Sequence, residues 1–175
     1  MKVRRLKYRE DFEQYAFDFN SICNSRIPWY YFSNSQTWGL FDSDGLLRGG
    51  FTIVDGDQKL RVLNQLPTFF WAIWEKNVSE LTGYFIKGNK GRLKLKTMFF
   101  LQCLLHKKNK FIYSYDKENQ KLENYYSYGN PIRIFSGYLN YDEPVFSFKE
   151  ENVEIITKFG IFLILLKSTF KKIFK

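Results

Sequence analysis

The order of elements between residues 80 and 139 restricts this chain more than anything else in it. The run ELTGYFI, Leu81 to Ile86 with Glu80 at its opening, reads as a strand, and Gly88-Asn89-Lys90-Gly91 reads as a turn. Arg92 to His106 then reads as a helix. Leu95, Met98, Phe99, Leu101, Cys103, Leu104 and Leu105 cover more than one stripe of it, so much of it should be buried. Phe111 to Tyr115 is a short strand, Asp116 to Tyr128 a second helix, and Pro131 to Leu139 a strand whose proline stands where a missing N–H matters least. Strand, glycine turn, helix, strand, helix, strand: this order makes the chain an α/β protein with a mixed sheet.

The rest of the sequence is compatible with that reading. Met1 to Lys7 forms a short strand. Arg9 to Ile22 carries Phe12, Tyr15, Ala16 and Phe19 at helical spacing. Arg26 to Ser35 is an aromatic loop containing IPWYYF. Trp38 to Phe41 and Leu46 to Val54 flank Asp42-Ser43-Asp44-Gly45, a hairpin signal because glycine accepts positive φ without a Cβ clash. Arg61 to Leu66 and Val145 to Phe148 are further strand candidates, and Phe69 to Trp74 is too short and aromatic to assign.

Composition narrows the chemistry. At 175 residues with 45% apolar and 26% charged residues, one domain with a real core is expected. Aromatic residues reach 20%, which suggests aromatic-lined surfaces besides the core. A formal charge of +9 calls for an anionic partner: nucleotide, nucleic acid or lipid headgroup. One histidine, His106, argues against an imidazole metal cage and against a histidine-based triad. It follows a long helix beside Lys107 and Lys108, where a cation complements the helix dipole. Cys23 and Cys103 make no CxxC spacing and point to a reducing cytoplasm; Cys103 lies among leucines and reads as packing. The basic N-terminus lacks the apolar run of a signal peptide. Phe159 to Leu166 is far shorter than the roughly 20 residues of a membrane span.

Residues 36–139 resemble the acyl-CoA-binding half of the GNAT superfamily, the GCN5-related N-acetyltransferases. WGLFDSDGLLRGGFTIV is similar to that family's second and third strands, with Gly49 or Gly50 at its third-strand glycine. ELTGYFIKGNKGRLKLKTMFFLQCLL resembles its next strand, pyrophosphate loop and long helix. Asn119, Leu122, Tyr125 and Tyr126 stand at the spacing of a further family motif. The loop departs from the pattern: Lys87-Gly88-Asn89-Lys90-Gly91-Arg92-Leu93 has one glycine too few in register. A turn leading into a helix N-terminus still offers free N–H groups and a positive dipole end to a pyrophosphate. Lys87 through Lys110 also holds eight Lys or Arg and no acid. A tight turn with a solvated basic face is the plainer reading of the same residues.

The resemblance implies a single GNAT-like domain with a mostly antiparallel mixed sheet, flanking helices and a cleft between splayed strands. It implies transfer of an acyl group, acetyl or longer, from acyl-CoA to an amine, without a metal. Ile86, Lys87, Gly88, Lys90, Gly91, Arg92 and Asn119 would then hold the acyl-CoA. Acylation needs a base for the incoming ammonium and an acid for the departing thiolate. Glu80 stands at the family's base position and Tyr126 at its acid position, with Tyr125 the substitute if the helix shifts by one. At a strand opening, Glu80 is also compatible with partial exposure. Trp29, Tyr30 and Tyr31 would line the acceptor site; a hydrophobic plug is the other reading. The competing functions are a non-catalytic GNAT-like binding domain and a basic nucleic-acid-binding module. Against the last, the aromatics show no RNP-like sequence.

The tail adds something to a plain GNAT ending. The expected division is 1–152 for the acyl-CoA-binding domain and 153–175 for a hydrophobic-basic extension. As a helix from Lys158 to Phe174 the tail would span about 26 Å, with lysines opposite apolar groups in its second half. That suits an anionic membrane surface, peripheral on the inner face, or a homodimer contact. The other reading is a last strand, Glu154 to Leu163, before a short basic helix.

Overall fold

The computed structural model describes residues 1–55, 60–66, 78–139 and 150–173. Its elements run β1 (Lys2–Arg5), α1 (Arg9–Cys23), α2 (Trp29–Ser33), β2 (Gln36–Phe41), β3 (Leu47–Val54), β4 (Val78–Ile86), α3 (Arg92–Leu105), β5 (Lys110–Asp116), α4 (Gln120–Tyr126), β6 (Ile132–Tyr138), β7 (Glu150–Thr157) and α5 (Lys158–Ile173). The strands form one seven-stranded sheet in the order β1-β2-β3-β4-β5-β7-β6. Every neighbouring pair is antiparallel except β4 and β5, which run parallel because α3 crosses between them.

The two faces of the sheet bury different helices. Tyr15, Phe19 and Phe32 of α1 and α2 pack on Phe41, Leu47 and Phe85. On the other face Leu95, Phe99, Phe100 and Cys103 of α3 join Ile161 and Ile164 of α5 over Phe51, Phe111 and Ile156. Each such side chain, withdrawn from water, contributes roughly 2 kcal/mol. Leu60, Val62, Leu63 and Leu66 close a third cluster over Val78, Ile112, Val153 and Ile155.

Local chemistry explains the hairpin and the helix starts. The Asp42 carboxylate accepts from the N–H groups of Asp44 and Leu46, while Gly45 takes φ +79°. Gly91, at φ +79°, forms the N-cap of α3; a Cβ there would come within 2.4 Å of Met1 Sδ.

Several sequence expectations change. Arg61 to Leu66 is a loop with a 3₁₀ turn at Leu63–Gln65, not a strand. The aromatic loop contains the short helix α2, entered through Pro28. The second helix of the 80–139 segment shortens to Gln120–Tyr126, because the Asn119 side chain caps it by accepting from Leu122 N–H. Val145 to Phe148 and Phe69 to Trp74 lie outside the described residues.

The tail is both strand and helix. β7 ends at Thr157, not Leu163, and α5 follows at once. The 152/153 division falls inside β7, which pairs with β5 from Asp116↔Glu151 to Lys110↔Thr157 and lies between β5 and β6. The C-terminal segment is therefore interior to the sheet. Where α5 meets the turn after α4, a Cβ on Gly160 would lie 2.3 Å from the Gly129 carbonyl, so backbone touches backbone.

Candidate active site

The parallel pair β4/β5 holds together only at Val78↔Lys110, Ser79↔Phe111 and Glu80↔Ile112. Beyond Glu80 the strands part, and the β4 edge facing β5 carries peptide groups that no strand among the described residues takes up. β4 is irregular on its other side as well: its register with β3 shifts between Gly50 and Thr52. Gly83 has φ +68° there, and its carbonyl accepts from the buried Tyr15 hydroxyl at 2.6 Å. Thr52 Oγ1 donates in turn to Tyr15 Oη at 3.1 Å. This bulge bends the strand at the level of the gap.

Glu80 occupies the last paired position. It is fully buried, because the strand begins at Val78 and not at Leu81, which overturns the partial exposure expected of it. Its Oε1 accepts from the Tyr31 hydroxyl at 3.1 Å and its Oε2 from the Val62 N–H at 2.9 Å. Burial pushes its pKa up to about 7; the Val62 N–H, the Arg61 charge and the Tyr31 hydroxyl pull it back only in part. A carboxyl group that titrates near neutrality is matched to general-base work.

Tyr126 lies on the opposite face, at the end of α4. Its ring meets that of Tyr113 on β5 at 4.4 Å and that of Tyr125 at 5.5 Å. Burial holds its hydroxyl protonated well above the ordinary tyrosine range, with Cys103 and Tyr84 adding to the effect. Tyr84 belongs to β4 beyond the point of parting, so Tyr126 stands between the two diverging strands on the α3 side. The neighbouring Tyr125 hydroxyl is buried without a hydrogen-bond partner.

The turn between β4 and α3 is only partly as expected. Gly88 and Gly91 both have positive φ, and open space surrounds the place of a Cβ at Gly88. Lys90 and Arg92 are exposed at the mouth of α3, while Ile86 is half-buried against the α3 core. Lys87 points elsewhere: its ammonium pairs with the buried Asp18 of α1 at 2.6 Å. Asn119 spends its side chain on capping α4. Of the acceptor trio, Tyr31 reaches Glu80, Trp29 stacks under Arg9 at 5.0 Å, and Tyr30 is exposed. The freed β4 edge, the Gly88–Gly91 turn and the orphaned Tyr125 hydroxyl fit the amides and pyrophosphate of an acyl-CoA. A cavity of about 320 Å³ lies between α1 and the hairpin and meets these residues only at Lys87. Three of its lining charges, Asp11, Arg48 and Lys87, are already paired.

Two polar centres escaped sequence reasoning. Glu154 of β7 is buried, accepting from the hydroxyls of Tyr113 and Tyr115, each at 2.8 Å, and from Arg133 at 3.0 Å. A glutamate inside the apolar run Val153 to Ile156, with tyrosines two apart on β5, was the only signal. His106 is no solvated helix-end cation. It is buried, and Nε2 faces both Ser79 Oγ at 2.9 Å and Asp55 Oδ1 at 3.0 Å. Desolvation pushes its pKa down against the pull of Asp55. One ring nitrogen serving both oxygens is not the arrangement of a nucleophilic triad, which uses the two nitrogens separately. The cluster fastens the start of β4 to the end of α3.

No protein-family model matches the chain, and no curated protein matches its sequence. Solved structures do resemble it. FeeM, an N-acyl amino acid synthase from uncultured soil microbes, superposes with a TM-score of 0.65 at 17% identity, covering 90% of each chain. An N-acetyltransferase from Staphylococcus aureus Mu50 gives 0.59 at 10% identity, over 90% of this chain and 98% of that one. Arabidopsis thaliana NAA60, solved in complex with a bisubstrate analogue, gives 0.59 at 11%, over 89% and 98%. At such identities the likeness establishes the fold alone: the chain has the GNAT fold of these N-acyl- and N-acetyltransferases.

Proposed function

We propose that this GNAT-like domain is an acyl-CoA-dependent N-acyltransferase acting on a primary amine, with Glu80 as base and Tyr126 beside the sulfur. The observation that carries this reading is Glu80, a buried carboxyl with a pKa of about 7 at the residue pair where β4 and β5 part. An amine acceptor approaches from the α2 face as its ammonium form. Tyr31 takes a proton from it and passes its own to Glu80, along the hydrogen bond it already makes. The freed amine lone pair attacks the thioester carbonyl carbon; a C–N bond forms, the C–S bond breaks as the thiolate leaves, and the nitrogen gives up its second proton to solvent.

Tyr126 supplies a hydrogen bond to the developing thiolate. Because burial holds this phenol protonated, full proton transfer to a thiolate, whose thiol has a pKa of about 8.5, runs uphill. Tyr126 therefore stabilises charge, and solvent provides the final proton. The backbone of the Gly88–Gly91 turn and the first turn of α3 hold the pyrophosphate, with Lys90 and Arg92 adding charge. A non-catalytic binding domain is the second reading, favoured by Lys87 and Asn119 being engaged elsewhere.

Coenzyme A titration followed by thermal unfolding tests binding, since a ligand of the native state raises its midpoint. The midpoint should rise; no shift at millimolar coenzyme A would sink the acyltransferase reading and leave a domain that binds some other ligand or partner. Thiol release from acetyl-CoA with a panel of amines tests turnover. Tyr126→Phe should lower turnover by about 10²-fold with little change in coenzyme A affinity. Binding without turnover on any amine would leave the non-catalytic reading.

A further inference from the structure

The outer face of α3 and α5 is unusual for a surface in two respects. It exposes large apolar side chains in register: Leu101 and Leu105 one turn apart on α3, and Phe159, Phe162 and Leu166 at helical spacing on α5. Leu105 is 70% and Phe159 68% exposed, values that belong to side chains standing clear of the fold. The helices meet where these residues lie, since Lys158 N–H donates to the Asn109 carbonyl and its ammonium to that of His106. The two stripes thus begin side by side. Singly exposed apolar residues are ordinary; grouped ones mark an interaction surface.

The second respect is charge. Arg92 to Lys110 contains six cations and no carboxylate, and Lys158 to Ile173 contains four more and none. The molecule as a whole holds 18 acidic residues, so both helices have been kept free of them. A twofold dimer would set this face against itself and bring like charge onto like charge. Apolar side chains on two helices that carry lysines and no carboxylate match an anionic lipid surface, where the apolar groups enter the headgroup boundary and the lysines meet phosphates. No helix among the described residues is long and apolar enough to cross a membrane.

We infer that the α3/α5 face docks the protein on anionic bilayers, lying along the surface and leaving the α1/α2 face toward water. Sedimentation of the full chain with vesicles tests this. The chain should pellet with equimolar phosphatidylcholine and phosphatidylglycerol, remain in solution with phosphatidylcholine alone, and be released by salt. Phe159→Ser should lower partitioning by on the order of tenfold, and Phe159→Ser with Leu105→Ser by on the order of a hundredfold. Phe17→Ser, at an equally exposed residue of α1, should leave partitioning unchanged. All these positions are exposed, and matching unfolding curves will certify the variants. Three results would overturn the inference: no pelleting with the anionic vesicles, equal loss in the Phe17 and Phe159 variants, or sedimentation of the chain without vesicles. The assay reads binding and not turnover, so it can fail while the acyltransferase reading stands.

Discussion

Two glutamates are buried in this sheet, and they differ in what surrounds them. Glu154 meets the Arg133 guanidinium directly and two tyrosine hydroxyls besides. Glu80 is met by one hydroxyl and the Val62 N–H, with the Arg61 charge adding to their pull, and desolvation still dominates its titration. A buried carboxylate with a cation directly against it holds structure. One whose burial outweighs its donors sits near its own titration midpoint at neutral pH and can exchange a proton. The same residue type in the same sheet is thus a strut in one place and, as we propose, a base in the other, and the neighbours decide which.

The largest effect that could break this contrast is catalytic. Glu80→Gln should lower amine acylation by on the order of 10³-fold and remove the limb near pH 7 from the pH–rate profile. An unchanged profile would return Glu80 to the structural class. Next comes stability against pH. Because the folded pKa of Glu80 lies above its ordinary value of 4.5, its contribution is fully present below pH 4.5 and is lost as pH rises through about 7. That loss is about 3 kcal/mol. Urea unfolding at pH 5 and pH 8 should therefore show a smaller decline in Glu80→Gln than in the parent chain, and parallel declines would count against the shift. Glu154→Gln should destabilise by about 2 kcal/mol at neutral pH, less than for a fully buried pair because Arg133 is partly exposed. The smallest effect sharpens the comparison on one arginine. Glu123, the exposed partner of Arg133 at 2.6 Å, should cost under about 1 kcal/mol as Glu123→Gln. If Glu123 matters as much as Glu154, burial is not what separates strong pairs from weak ones here.

What could be read from the sequence was local. The Asp42–Gly45 turn, the glycines at 88 and 91 and the helical spacing after Arg92 depend on residues within a few positions of one another. The order of β4, α3, β5 and α4 followed from them, and with it the positions of Glu80 and Tyr126. Contacts across the sheet were not legible. Glu154 meets Arg133 across 21 positions and Tyr113 across 41, through a register that only the folded sheet sets. Tyr31 finds Glu80 across 49. The strand boundary mattered as much: moving it from Leu81 back to Val78 turned a half-exposed carboxylate into a sealed one. His106 read as a helix-end cation because lysines follow it, yet Ser79 and Asp55 draw it inward from distant segments.

The parting of β4 from β5 also divides the molecule mechanically. On one side lie β1 to β4, on the other β5, β7 and β6, and only the pairs from Val78↔Lys110 to Glu80↔Ile112 join these half-sheets by strand hydrogen bonds. β5 and β7, by contrast, stay in register from Lys110 to Asp116. The seam at Glu80 is thus the narrowest strand connection inside the sheet, three residue pairs long. Amide hydrogens of β4 past Glu80 that face the gap should exchange with solvent faster than those facing β3. A ligand whose own amides run along that edge would slow them and stitch the two halves into one sheet.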